Sequence, residues 1–165
     1  MRLAAAFGFT FNDGFAVPGF QTVAGRDSAF SIPTIFRGSD GTLRDHAIVR
    51  GTRAGESVTS VRTFTGQAFQ APAGAEPILV FPAGFVSLMP RVAWRFDPDT
   101  KQVPVEGWLQ GAVMKVEKGR AAFFGEAAMF SAQVAGASRR PMGMNAPGAE
   151  QNFQFVLNLI HWLVD

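Results

Sequence analysis

Cysteine is absent from the 165 residues, and so is tyrosine. Without a thiol there is no disulfide, no thiolate nucleophile and no Cys-ligated zinc or iron–sulfur site, and nothing in the composition marks the redox compartment. Without a phenol, acid–base chemistry on Tyr is excluded. Charge is sparse as well: 15 Lys and Arg stand against 13 Asp and Glu, for a net charge of +2, and Arg139-Arg140 is the only adjacent basic pair. That scatter lacks the dense basic stripe of nucleic-acid binders, so no nucleic-acid partner is expected. The two histidines lack metal-ligand spacing, and neither a Walker A nor a G-x-G-x-x-G pattern occurs, so the expectation is no metal and no cofactor. No run reaches the ~18 apolar residues that span a bilayer. The opening MRLAAAFGFTF is interrupted by Asn12-Asp13 too early for a signal-peptide core. No membrane partner is therefore expected, and the chain reads as cytoplasmic.

What is present is apolar. Hydrophobic residues make up 47% of the chain, and 17 of them are Phe. A chain of this length and composition is expected to fold as one domain over residues 1–165, with its core filled by rings that carry no hydroxyl to place. The central stretch Trp108 to Phe130 predicts strand, turn, strand: Leu109 to Val116, a turn at Lys118-Gly119, then Ala121-Ala122-Phe123-Phe124 as a strand buried on both faces. Around it, Leu3 to Phe7 predicts a short helix ended by Gly8, and strands are expected at Phe9 to Phe11, Ser28 to Ile32, Thr34 to Phe36, Ser57 to Phe64, Pro77 to Pro82, Val92 to Phe96 and Gln102 to Val105. Gly84 to Pro90 predicts a brief helical or irregular turn, Ala127 to Ala135 a short helix, and residues 136–148 a flexible loop. Pro147 to Val164 is the strongest helix. Phe153, Val156, Leu157, Ile160 and Val164 make an apolar stripe, and Gln151, Gln154, Asn158 and His161 a narrow polar one, so the helix is expected to be largely buried with the polar stripe in water.

Glu126, just past the end of an interior strand, is the leading candidate for general acid–base chemistry, because desolvation beside Phe123-Phe124 raises a carboxyl pKa. The bland alternative is that Glu126 caps the following turn. Histidine is the one side chain whose ordinary pKa lies near neutrality, and the chain has two, His46 and His161; His161 falls on a solvated stripe, which leaves His46 as the candidate base. Ser131 completes a hypothetical Ser-His-acid set with His46 and Glu126, although no G-x-S-x-G elbow is present. Thr65, Gly66 and Gln67 form one loop at an element end. Arg140 and Asn145 lie in another that leads to the last helix, where free N–H groups and a guanidinium suit an anion.

The runs GRAAFFGEAAMFSAQ, PMGMNAPGAEQNFQFVLNLIHWL, DHAIVRG and VRTFTGQAF resemble an uncharacterised bacterial group of the class I glutamine amidotransferase-like superfamily. The resemblance covers nearly the whole chain from about Leu3. It implies an α/β fold, namely an incomplete flavodoxin-like sandwich with a mixed sheet and a buried C-terminal helix, lacking the N-terminal βαβ portion. The family's glutaminase members use Cys, His and Glu, and this chain has no Cys. The function expected is therefore a non-glutaminase domain that binds a small ligand or a partner at a strand-end crevice formed by Glu126, Thr65, Gly66, Gln67, Arg140 and Asn145. The alternatives are an esterase- or lactonase-type hydrolase using Glu126 with His46 or Ser131, and a protein-interaction module. A sheet that lacks one side exposes an edge, which predicts a homo-oligomer.

Overall fold

The computed structural model describes residues 2–19, 34–137 and 139–165. In chain order its elements are α1 (Arg2–Ala6), β1 (Thr10–Phe11), β2 (Phe15–Pro18), β3 (Thr34–Arg37), α2 (Ala47–Arg50), β4 (Ser60–Thr63), β5 (Phe69–Gln70), β6 (Glu76–Val80), β7 (Phe85–Met89), β8 (Lys101–Pro104), β9 (Leu109–Val116), β10 (Gly119–Phe124), a 3-10 turn (Ala128–Phe130), β11 (Ala132–Ala135), β12 (Arg140–Gly143) and α3 (Asn152–Val164). The strand expected at Ser28 to Ile32 lies outside the described residues.

The central hairpin forms where the sequence places it. Gly119 pairs with Val116 and Phe124 with Gly111, so the turn falls on Glu117-Lys118, with Glu117 in the left-handed region at φ 52°. β9 is the spine of the largest sheet: β6 flanks one side, while β10 and the β5–β1 pair share the other, end to end. Three smaller sheets surround it, β2–β7–β8, β3–β4 and β11–β12. The two faces of β10 meet different cores. Ala122 and Phe124 join the larger cluster around Phe36, Ile48, Ile78, Phe81, Met129 and Phe155. Phe123 joins a smaller one, where its ring stacks 3.9 Å from Phe9 and also meets Phe7.

A flavodoxin-like α/β sandwich with a mixed sheet is not what forms. Among the described residues strands account for 36% and helix for 17%, and every pairing is antiparallel. Parallel strands need a long crossover, usually a helix. Here the one helix of that length among the described residues, α3, comes after the last strand. Local expectations shift accordingly. Gly84 to Pro90 holds β7, stabilised by β2 on one side and β8 on the other, a non-local gain that the local Gly and Pro content conceals. The strand expected at Val92 to Phe96 is an irregular stretch with Trp94 at φ 65°. Ala127 to Ala135 splits into the 3-10 turn and β11, and β11 pairs with β12 inside the expected loop.

α3 corrects the expected orientation of the last helix. Its fully buried residues are Asn152, Phe155, Asn158 and Leu159, whereas Phe153 is 60%, Ile160 49% and Val164 76% exposed. The amides face inward because they hydrogen-bond main chain that no strand reaches. Asn152 Oδ1 accepts from the Arg62 N–H at 3.0 Å, and its Nδ2 donates to the Arg62 carbonyl at 2.7 Å. Asn158 Nδ2 donates to the Ile48 and Glu56 carbonyls, both at 2.8 Å. Gln151 Oε1 accepts from the N–H groups of Thr59 and Ser60 at 2.8 and 2.9 Å. Gln151 and Asn152 take the place of a neighbouring strand along β4, and Asn158 ties α3 to α2 and to the stretch before β4. Removing one leaves buried main-chain groups unsatisfied, which costs more than the net worth of the bonds. Asn152→Ala is expected to lower unfolding free energy by about 3 kcal/mol in urea denaturation, whereas Phe153→Ser stays within about 0.5 kcal/mol of the parent. The opposite ranking would restore the orientation expected from the periodicity.

Candidate functional site

The candidate site lies where β10 ends. The Gly125 N–H continues the ladder by donating to the Gln110 carbonyl at 2.9 Å, and the Gly125 carbonyl accepts from the Gln67 N–H at 2.8 Å. Only glycine fits: a Cβ on Gly125 would lie 1.9 Å from the Gln67 carbonyl oxygen, and one on Gly66 would lie 2.6 Å from that of Gly125. Thr65, at φ 74°, and Gly66, at φ 119°, bend the chain so that this approach is made. Two more bonds fasten the loop, from Gln110 Nε2 to the Thr65 carbonyl at 2.9 Å and from the Ala16 N–H to the Gly66 carbonyl at 2.8 Å. Thr65, Gly66, Gln67 and Glu126 are thus brought together as the sequence suggests. They meet main chain against main chain.

Glu126 is 9% exposed, and its carboxylate accepts from the N–H groups of Ala128, Met129 and Phe64. Burial pushes its pKa above the usual carboxylate value, against the pull of those three donors. This arrangement caps the 3-10 turn. Ser131 closes the other end of the same turn, its Oγ donating to the Ala128 carbonyl at 3.0 Å.

His46 belongs to a different part of the fold. It is the N-cap of α2, with Nδ1 accepting from the Ile48 N–H at 3.1 Å, so the proton of the neutral ring sits on Nε2. Nε2 lies 3.5 Å from a Glu76 carboxylate oxygen, and the ring meets Trp162 edge-on at 5.5 Å between centroids. Its pKa is lowered, by burial first and by Arg50 also, with Glu76 and Asp45 opposing. Each member of the hypothetical Ser131, His46 and Glu126 set is therefore committed to its own partners. Arg140 is exposed on β12, and Asn145 Nδ2 donates to the Gln133 carbonyl at 3.2 Å, outside the Gly66–Gly125 contact.

Two hollows lined by described residues lie near α3. One of about 50 Å³ lies between α2 and α3 beside Thr52, Asn158 and His161. An open depression of about 300 Å³ lies between the β9–β10 turn and the end of α3, beside Lys115, Lys118, Arg120 and Asp165. Neither reaches Glu126, His46 or Ser131. Among the described residues no His, Asp and Glu side chains gather in a group that could hold a metal ion, and no helix is long and apolar enough to cross a membrane. Compared with models of protein families, with curated proteins and with solved structures, the chain matches none.

The residues that sequence reasoning missed are the buried amides Gln110, Asn152 and Asn158. Two asparagines inside an otherwise apolar helix are the signal that could have found them, because burial of an amide demands main-chain partners.

The two titrating groups make opposite demands on pH. For Glu126 the folded pKa lies above the unfolded one, so its contribution is full below the usual 4.5 and is lost as pH rises through the folded value. For His46 the folded pKa lies below the unfolded one, so its contribution is full above the usual 6.5 and is lost as pH falls through the folded value. In urea denaturation across pH 4–8, Glu126→Gln is expected to remove the first dependence and His46→Asn, which keeps a capping acceptor, the second. A Glu126→Gln chain with an unchanged pH profile contradicts the assignment for Glu126.

Proposed function

We propose that this chain is a protein-interaction module that receives a strand of its partner along β10. The observation that carries this reading is the open edge of the central sheet. In the β9–β10 ladder the residues bonded to β9 are Gly119, Ala121 and Phe123, and the ladder extends to Gly125. Arg120, Ala122 and Phe124 therefore direct their N–H and C=O groups away from β9, and none of these groups has a partner among the described residues.

Three other edges are guarded. β4 is closed by Gln151 and Asn152, β8 carries Lys101 and Pro104, and β2 carries Pro18 together with the Ala16–Gly66 bond. On β10 the one charge that would guard the edge is drawn aside. The Arg120 guanidinium donates to the Trp162 carbonyl and lies 5.1 Å over the Trp162 ring. A regular strand of six residues with both faces packed and its outer row free is a template for strand addition, in which main-chain bonds give affinity and side-chain matching gives selectivity. The hydrolase reading has no comparable support, because Glu126, Ser131 and His46 are occupied as caps.

The test is selection of extended peptides on the immobilised chain, followed by NMR amide exchange of the complex. Bound peptide is expected to slow the Arg120, Ala122 and Phe124 amides and leave Ala121 and Phe123 as they were. Binders that instead perturb the exposed Phe153, Ile160 and Val164 face of α3, or that are lost in Glu126→Gln with the fold intact, contradict the proposal.

A further inference from the structure

Granted strand addition, the pattern of β10 narrows the partner: we infer that the added strand is the β10 of a second copy, antiparallel, about a two-fold axis at Ala122. In an antiparallel pair, outward residues bond in opposed pairs. Setting Ala122 against Ala122 of the second copy puts Arg120 against its Phe124 and Phe124 against its Arg120. Every outward N–H and C=O of both strands then has a partner. A slip of two residues in either direction leaves an outward residue of each strand unmatched.

The side chains suit the same register. Phe123 faces Ala121 of the second copy, so bulk meets space there, while Gly119 faces Gly125 and the axis is crossed by two alanines, so nothing obstructs the approach of the two strands. The match is isologous, since the same patch serves both subunits. Ala122 and Phe124 already belong to the larger core cluster, so pairing would extend that core across the axis. A six-residue edge is small beside the ~1,600 Å² of a standard stable interface. The dimer is accordingly transient, with a Kd of about 10–100 μM.

Sedimentation of the full chain from low micromolar to near-millimolar concentration tests this, with amide exchange read at both ends of the range. The expected result is a monomer that becomes a dimer, with exchange of the Arg120, Ala122 and Phe124 amides slowed about tenfold while Ala121 and Phe123 do not change. Ala122→Pro removes only an outward donor and is expected to stay monomeric. Should that variant fail to fold, the exchange pattern of the parent chain decides the matter. A dimer whose outward β10 amides remain fast overturns the inference and places the contact elsewhere, α3 being the first surface to map. A chain that stays monomeric also overturns it. If the monomer still takes selected peptides on those three amides, only the second copy fails and strand addition stands; if it takes none, both fall.

Discussion

The fold depends on one close approach, that of Gly125 to Gln67. Their main chains touch with no side chain between them, and from this contact bonds run to four elements. Gly125 extends the β9–β10 ladder, Gly66 accepts from β2, Thr65 accepts from Gln110 of β9, and the Phe64 N–H, just past β4, is held by the Glu126 carboxylate. Three sheets are thereby joined at a point where none of them pairs strand to strand with another. A small antiparallel sheet is marginal alone. Several of them sharing one set of buried hydrogen bonds become cooperative, which gives a physical reason for a buried carboxyl whose desolvation is unfavourable.

The same logic explains why side-chain amides recur in the interior. Short strands leave main-chain donors and acceptors that a longer sheet would satisfy, and a buried orphan is expensive. Gln110, Gln151, Asn152 and Asn158 bond to main chain where strands end. The presence of Asn152 and Asn158 on the inner side of α3 leaves its outer side with Phe153, Ile160 and Val164. Inverted amphipathicity is thus a result of satisfying β4, and the exposed apolar face need not be a binding face in itself.

The central hairpin was legible because its period, its turn residues and its Gly-acid ending agree at short range. The contact of the Thr65–Gln67 loop with Gly125-Glu126 was legible in its membership. Its nature was not, because a carboxylate in a crevice and a carboxylate capping a turn present the same local pattern, and the difference lies in Gln67, far upstream of Gly125 in sequence but bonded to it in three dimensions. β7, β11 and β12 were missed for a related reason: each is stabilised chiefly by a partner strand rather than by its own residues. The orientation of α3 was misread because hydropathy counts an asparagine as solvent-seeking even when it satisfies buried main chain. The flavodoxin-like expectation came from a resemblance of segments, which fixes neither strand direction nor sheet order.

The bonds from α3 to the first half of the chain span long intervals of sequence, from Asn158 to Ile48 and Glu56 and from Asn152 to Arg62. Contacts of such range are formed late, after much loop-closure entropy has been lost. During synthesis, β4 and the stretch around Ile48 must therefore wait, with their carbonyls hydrated and their apolar faces open, until residues 152–158 have left the ribosome.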